Sequence, residues 1–329
     1  MPPRRTPPSP RLPELRALAA DPAAQVALAQ TILATDKDVQ AIRAAVEVLK
    51  THPTPAARRV LRERFEHYAA DGVRRDTGAY LRAAILQALR PIALPDDVPL
   101  LERAAATYEF LPPGRSEEGA LLRSAALVTL DAVDPRLAAL HSIRLLADPH
   151  TSRLSGEPAV TAVRVLAAQA NIWPLYYYAL HQTNPQSEVL SESLKYLAGL
   201  PAALSAELVD KYGASDDEVV LVGLLDMVLD AGGGPFIHKF LSATDKFAVY
   251  HYLVTRLVAK PTAAGLAELG QQAQHERNPR KLGILAEALV LGRTDPHLQS
   301  TLAAVRHSQK LATLARYERT QPDNDEPTD

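Results

Sequence analysis

The chain has 329 residues, a formal net charge of −2 and no cysteine, which excludes disulfides, thiolate metal sites and a cysteine nucleophile. Apolar residues make up 47% and aromatics only 5%, so the core must be built from Ala, Leu and Val, which suits closely packed helices. The length exceeds what one compact core usually fills, and leaves division into domains or growth by repetition.

Residues 1–13 hold six prolines and three arginines and read as a disordered Pro/Arg-rich tail, with Pro7-Pro8-Ser9-Pro10 able to form polyproline II. No apolar run follows these basic residues, so the stretch is not read as a signal peptide. No run of about 18 apolar residues occurs anywhere, so no membrane span is expected, and a soluble, cytoplasmic protein is. Residues 14–316 read as one helical domain, and 317–329 as an acidic disordered tail. Charge is uneven. Residues 1–90 carry 15 Lys+Arg against 9 Asp+Glu, and the remainder 21 against 29, an asymmetry that can steer a partner toward one end.

Between the tails one unit recurs. A helix ends, a short turn carries a proline, and a second helix begins with apolar residues. The prolines are Pro55, Pro95, Pro135, Pro174, Pro201, Pro235, Pro261 and Pro296, with steps of 40, 40, 39, 27, 34, 26 and 35 residues. A period in this range predicts a solenoid of helix pairs. The clearest copy is Leu121 to Pro149. Its first helix carries Leu122, Ala125, Ala126, Leu127 and Leu130, and its second Leu137, Leu140, Ile143 and Leu146. These spacings of three and four predict one apolar face per helix. Asp134 is the expected N-cap of the second helix, and Pro135 suits its first turn. Gly232-Gly233-Gly234 interrupts the array and predicts a tight turn between helices.

Tyr80 to Leu101 resembles a HEAT repeat of the bacterial phycobilisome-lyase-like type. The resemblance is carried by Leu81-Arg82, Ala83-Ala84, Ala88-Leu89, Pro95-Asp96-Asp97 and Val98-Pro99-Leu100-Leu101. Leu121 to Leu146 is similar through Leu122-Arg123, Ala125-Ala126, Leu130 and Asp134-Pro135. Arg280 to Leu302 is a third match, through Ala286, Ala288-Leu289, Asp295-Pro296 and Leu302. Units around Pro174, Pro201 and Pro235 lack the arginine. The resemblance covers roughly residues 37–310. It implies an all-α fold, an α-solenoid of about eight HEAT-like hairpins whose second helices line the concave side, and surfaces offered to other macromolecules.

Three long loops, 71–76, 111–118 and 148–157, carry Arg74, Arg75, Arg115, His150 and Arg153. Insertions in repeat proteins gather at a binding edge; solvated loops that tolerate insertion are the alternative. A second basic patch is Arg58, Arg59, Arg62 and Arg64, in which Arg58 and Arg62 are four apart and share a helix face. It reads as an ordinary solvated face or as a contact for an acidic protein or a phosphate backbone. Residues 172–181 concentrate aromatics. If Leu175, Tyr178 or Ala179 point inward, Tyr176, Tyr177 and Trp173 lie outward as binding anchors; core packing is the other reading.

Catalytic and metal chemistry find little support. The histidines form no i, i+4 pair, and His275-Glu276 is a single instance where HEAT-like di-iron enzymes need several. Asp216-Asp217-Glu218 opens a helix and reads as its cap. The sequence therefore points to a non-catalytic protein–protein interaction scaffold with no cofactor and no metal. Its expected contacts are Arg58, Arg62, Arg74, Arg75, Arg115, Arg153, Trp173, Tyr176 and Tyr177, for a protein or peptide partner and not a membrane. The alternatives are nucleic-acid binding, as in HEAT-like alkylbase glycosylases, and a chromophore-lyase-like accessory role.

Overall fold

The computed structural model describes residues 9–113, 116–292 and the positions 296, 298, 299, 301 and 303. The fold is all-α. The described residues hold eighteen α-helices and one antiparallel pair of two-residue strands, Phe110–Leu111 and Ser116–Glu117. Contacts divide the chain into two compact units, Met1–Tyr178 and Ala179–Asp329.

The first unit contains α1 (Arg11–Ala17), α2 (Pro22–Thr35), α3 (Val39–Thr51), α4 (Ala57–Ala69), the single turn α5 (Gly72–Arg75), α6 (Tyr80–Leu89), α7 (Val98–Ala105), α8 (Ala120–Val133), α9 (Pro135–Leu146) and α10 (Ala159–Ala168). Helix α11 (Trp173–His181) begins in this unit. The first helix starts inside the stretch read as a tail. Ser9 tethers it, through its N–H to Asp38 Oδ2 at 2.8 Å and its hydroxyl to Asp36 Oδ2 at 2.6 Å. Residues 1–8 and 304–329 lie outside the described residues.

The proline turns open helices as expected. Asp134 caps α9, accepting from the N–H groups of Arg136 and Leu137, and Pro135 occupies its first turn. In α8 the expected face is buried: Leu122, Ala125, Ala126, Leu127 and Leu130. The face of α9 is different. Ala138, His141, Ser142, Leu145 and Leu146 are buried, while Leu140 and Ile143 are 43% and 44% exposed. The stripe is rotated because His141 pairs with Glu102 of α7 at 3.2 Å and small Ala138 and Ser142 allow close approach. Two polar residues thus occupy positions that hydropathy assigns to solvent.

Packing also sets the pairing of helices. The helix after each proline turn packs on the one that follows across a loop: α4 on α6, α7 on α8 and α9 on α10. Helices α3, α6, α8 and α10 lie directly against one another in sequence and form one row. Helices α4, α7 and α9 form the other row and are bridged by long side chains: Arg103–Glu66, Arg58–Asp97 and His141–Glu102. The closely packed row is therefore that of α3, α6, α8 and α10, and the core runs between the two rows.

The second unit holds α12 (Ser187–Lys195), α13 (Ala202–Tyr212), α14 (Glu218–Asp230), α15 (Gly234–Ala243), α16 (Phe247–Ala259), α17 (Ala263–His275) and α18 (Pro279–Leu291). It alternates in the same way, with α12, α14, α16 and α18 in one row and α15 on α17 in the other. Asp217 caps α14. The glycine run is a tight turn, with Gly232 and Gly233 at φ +97° and +68°, a region other residues enter at a cost. Their N–H groups close on Leu229 O and Val228 O.

Candidate interaction surfaces

Two buried arginines build one edge of the first unit. Arg82 begins inside α6 with its side chain 2% exposed. Its Nη1 and Nη2 donate to both oxygens of Glu109 at 2.6 and 2.7 Å, and its Nε donates to Asp76 Oδ2 at 3.1 Å. Asp76 also accepts the N–H groups of Leu81 and Arg82 and so caps α6. Loop 70–79 and loop 106–119 are thereby held on one guanidinium. The fit is close: a Cβ on Gly72 would stand 2.0 Å from Glu109 Oε1.

Arg123 repeats the arrangement one unit on. It grips Glu117 through two 2.8 Å bonds, donates to Thr107 O at 3.0 Å and pairs with Asp148 Oδ2 at 3.3 Å. Its guanidinium lies 4.2 Å from the Tyr108 ring centroid. Each arginine thus has an acid six residues before it and a second acid in the next loop. Burial alone would raise the Glu117 carboxyl. The Arg123 guanidinium and the N–H groups of Glu109 and Gly119 outweigh it and hold the group below its ordinary value. Burial, and then the Asp148 charge, push the Tyr108 hydroxyl up. The sequence flagged Arg82 and Arg123 only as repeat-pattern residues; the acid at i−6 was the available signal for their role.

What this edge exposes is aromatic and basic. Tyr108 and Phe110 both meet the His150 ring edge-on, with centroids 5.5 and 5.1 Å away. Phe110, Tyr108 and His150 are all exposed. Arg74 is 86% exposed, its nearest acid being Asp71 at 3.9 Å. Arg75 donates to His67 O at 2.6 Å and so closes the end of α4. Arg153 is exposed beside Leu154, which is 96% exposed. Arg115 lies outside the described residues.

The arginines of α4 are placed otherwise. Arg58 forms a bidentate pair with buried Asp97, at 2.8 and 3.0 Å. Arg62 reaches the same carboxylate at 3.1 Å. Asp97 also accepts the Leu94 N–H. Both guanidinia therefore tie α4 to the start of α7. Arg59 pairs with Glu63, and Arg64 donates to Asp36 O, capping the end of α2.

Helix α11 divides as its spacing requires. Leu175, Tyr178 and Ala179 are buried, whereas Trp173 and Tyr177, four residues apart, are 58% and 68% exposed. Tyr176 is half-buried and meets Trp173 edge-on at 6.4 Å.

Each unit also carries an open groove on its more closely packed row. In the first, about 430 Å³ is lined by Lys50, Gln87, Arg90, Leu121, Val128 and Glu157. In the second, about 490 Å³ is lined by Val219, Val222, Ala248, His251, Tyr252 and Thr255. Among the described residues no three His, Asp or Glu side chains converge on a point where they could hold a metal ion, and no helix is long and apolar enough to cross a membrane.

Compared with known proteins, the chain matches no protein-family model and no curated protein. A solved structure described as an engineered protein aligns with 93% of this chain and 96% of its own, at 16% identity and a TM-score of 0.31. A similarity that low does not establish a shared fold.

Proposed function

We propose that the chain is a non-catalytic scaffold or adaptor, a cytoplasmic stack of HEAT-like hairpins forming a solenoid that binds another protein or a peptide from one. The alternating rows within each unit support the repeat reading. The buried ion clusters support the non-catalytic one, since Asp76, Glu109, Glu117 and Asp97 are all engaged in bracing helices and loops.

The observation that carries the binding role is α11. A helix buried along Leu175, Tyr178 and Ala179 presents Trp173 and Tyr177 on one outward face. Large, rigid aromatic side chains of this kind are the commonest anchors of protein interfaces. The test is quantitative capture on the immobilised protein from its native source, followed by reconstitution with the purified partner. The partner retained by the wild type should bind at least roughly tenfold more weakly to the Trp173→Ala, Tyr177→Ala double variant. If every retained protein binds both forms equally, α11 is not the anchor.

A further inference from the structure

We infer that the outward face of α9 is a docking surface beyond the α11 anchor, and that it takes an acidic amphipathic helix of a partner protein. Helix α9 buries Ala138, His141, Ser142, Leu145 and Leu146. At about 3.6 residues per turn, Arg136, Leu140, Ile143 and Arg144 fall together on the opposite side, and all four are exposed. The two aliphatic side chains thus sit between two guanidinia, which lie one helical turn to either side of Leu140.

The charge of this strip is not cancelled by its surroundings. Helix α9 itself has no acid. Of the helices packed on it or bridged to it, α10 has none, α8 has Asp131 and α7 has Glu102. Asp131 accepts from Gln169 Nε2 at 2.6 Å, and Glu102 meets His141 at 3.2 Å. Asp134 caps α9, and these three acids are half-buried. Asp148, beyond the end of α9, is buried against Arg123. Other arginines of the same row are paired: Arg58 and Arg62 with Asp97, Arg59 with Glu63 and Arg103 with Glu66. Among the described residues, Arg136 and Arg144 have no ion-pair partner and remain open to a ligand's carboxylates.

The occupant follows from the spacing. Arg136 and Arg144 stand about 12 Å apart along the helix axis, with the apolar pair between them. A partner helix laid along α9 meets this with carboxylates two turns apart and an apolar stripe between. The complementary charges then fix its register and direction. A nucleic acid fits less well, because Leu140 and Ile143 offer no ring on which a base can stack, and two guanidinia neutralise few phosphates.

The experiment measures the full chain by fluorescence anisotropy against designed helical peptides of about 20 residues, with glutamates two turns apart on either side of paired leucines. Copies with lysine for each glutamate, and a single-stranded oligothymidylate, are measured in parallel. The acidic helix should bind and its lysine copy should not. The Leu140→Ser, Ile143→Ser variant should weaken binding roughly tenfold. The Arg136→Glu, Arg144→Glu variant should lose the acidic helix and take up the lysine copy. Both variants should keep the wild-type melting temperature, since all four side chains are exposed and none belongs to the His141–Glu102 bridge. The Trp173→Ala, Tyr177→Ala variant should bind the acidic helix like the wild type, so that failure of the α11 anchor leaves this surface standing. The inference is overturned if no acidic helix is bound, if the lysine copy binds equally, if the serine variant keeps full affinity, if charge reversal leaves the preference unchanged, or if only the oligonucleotide binds.

Discussion

The loop edge of the first unit and the helix joints of the second solve the same problem by different means. In the second unit the joints are short. The α14–α15 turn closes through two glycine N–H groups. An exposed carbonyl at a helix end is met by a single cation, Lys211 reaching Leu180 O at 2.5 Å. In the first unit the loops are longer, and backbone bonds such as Glu118 N–H to Glu109 O and Ser152 N–H to Glu157 O close each loop on itself without joining it to the next. There a fully buried arginine serves as a common centre for two or three segments. A cation at a helix C-terminus contributes about 0.3–2 kcal/mol. Removing one member of a buried charge pair costs about 3–5 kcal/mol, because the partner is left desolvated and alone. The long-loop solution is thus stiff and brittle, and the short-joint solution is tolerant.

Arg123→Met tests that contrast most severely. It strands Glu117 and Asp148, whose side chains are 5% and 0% exposed, and should lower stability by about 3–5 kcal/mol in urea unfolding. Lys211→Met, in the second unit, should lose about 0.3–1 kcal/mol, since Lys211 is exposed and its hydrogen bonds go to carbonyls at the end of α11. Equal losses would erase the distinction. Gly72→Ala sharpens it without touching a charge, since the added methyl displaces Glu109 from Arg82.

Asp97→Asn comes next. The carboxylate is fully buried and shared by Arg58 and Arg62. An amide keeps an acceptor for the Leu94 N–H but loses the charge, at about 1–3 kcal/mol. Arg62→Gln alone should change the urea midpoint little, because Arg62 is partly exposed and Arg58 keeps its bidentate grip.

Acid titration separates Glu117 from the other groups. Its carboxyl lies below the ordinary value of 4.5 in the folded chain. The unfolded chain therefore takes up this proton first as pH falls. The contribution of Glu117 is complete above about pH 4.5 and is lost as pH drops toward the folded value. Glu117→Gln should flatten the pH dependence of the urea midpoint in that range. Other depressed carboxyls, such as Asp36, titrate alike in both proteins, so the difference between the two curves is the measurement. Identical slopes would mean that Arg123 does not hold Glu117 through its charge.

Much of the helix order was readable because proline and capping residues act locally. Asp134-Pro135 and Asp217 mark helix starts with no help from tertiary contacts. The frame of the pairing was readable only in part, because a periodic pattern has no unique starting point. The hairpin across Pro135 forms, α8 packing on α9, whereas α4 and α7 pack on α6 and α8 across the long loops, and α9 packs on α10 as well. The arginines were misweighted for a related reason. Hydropathy places an arginine on the surface, and only the acids supplied by two different loops make Arg82 and Arg123 core residues. By the same rule Arg58 and Arg62 looked available for a ligand, and a single aspartate from the next unit occupies both.

The face of α9 gives the smallest expected effect and the most direct check on that reasoning. Spacing alone favours Leu137, Leu140, Ile143 and Leu146 as the buried stripe; the structure buries Leu146 but turns the helix so that Ala138, His141, Ser142 and Leu145 face inward in place of Leu140 and Ile143. Ile143→Thr should then shift stability by no more than about 0.5 kcal/mol, as for an ordinary surface position. Leu145→Ala should cost about 2–4 kcal/mol through the cavity it leaves. Reversed magnitudes would return α9 to the face that hydropathy prefers and break the His141–Glu102 bridge from α9 to α7. The row of α4, α7 and α9 is held by such polar bridges, so its register depends on side chains that an apolar pattern does not count.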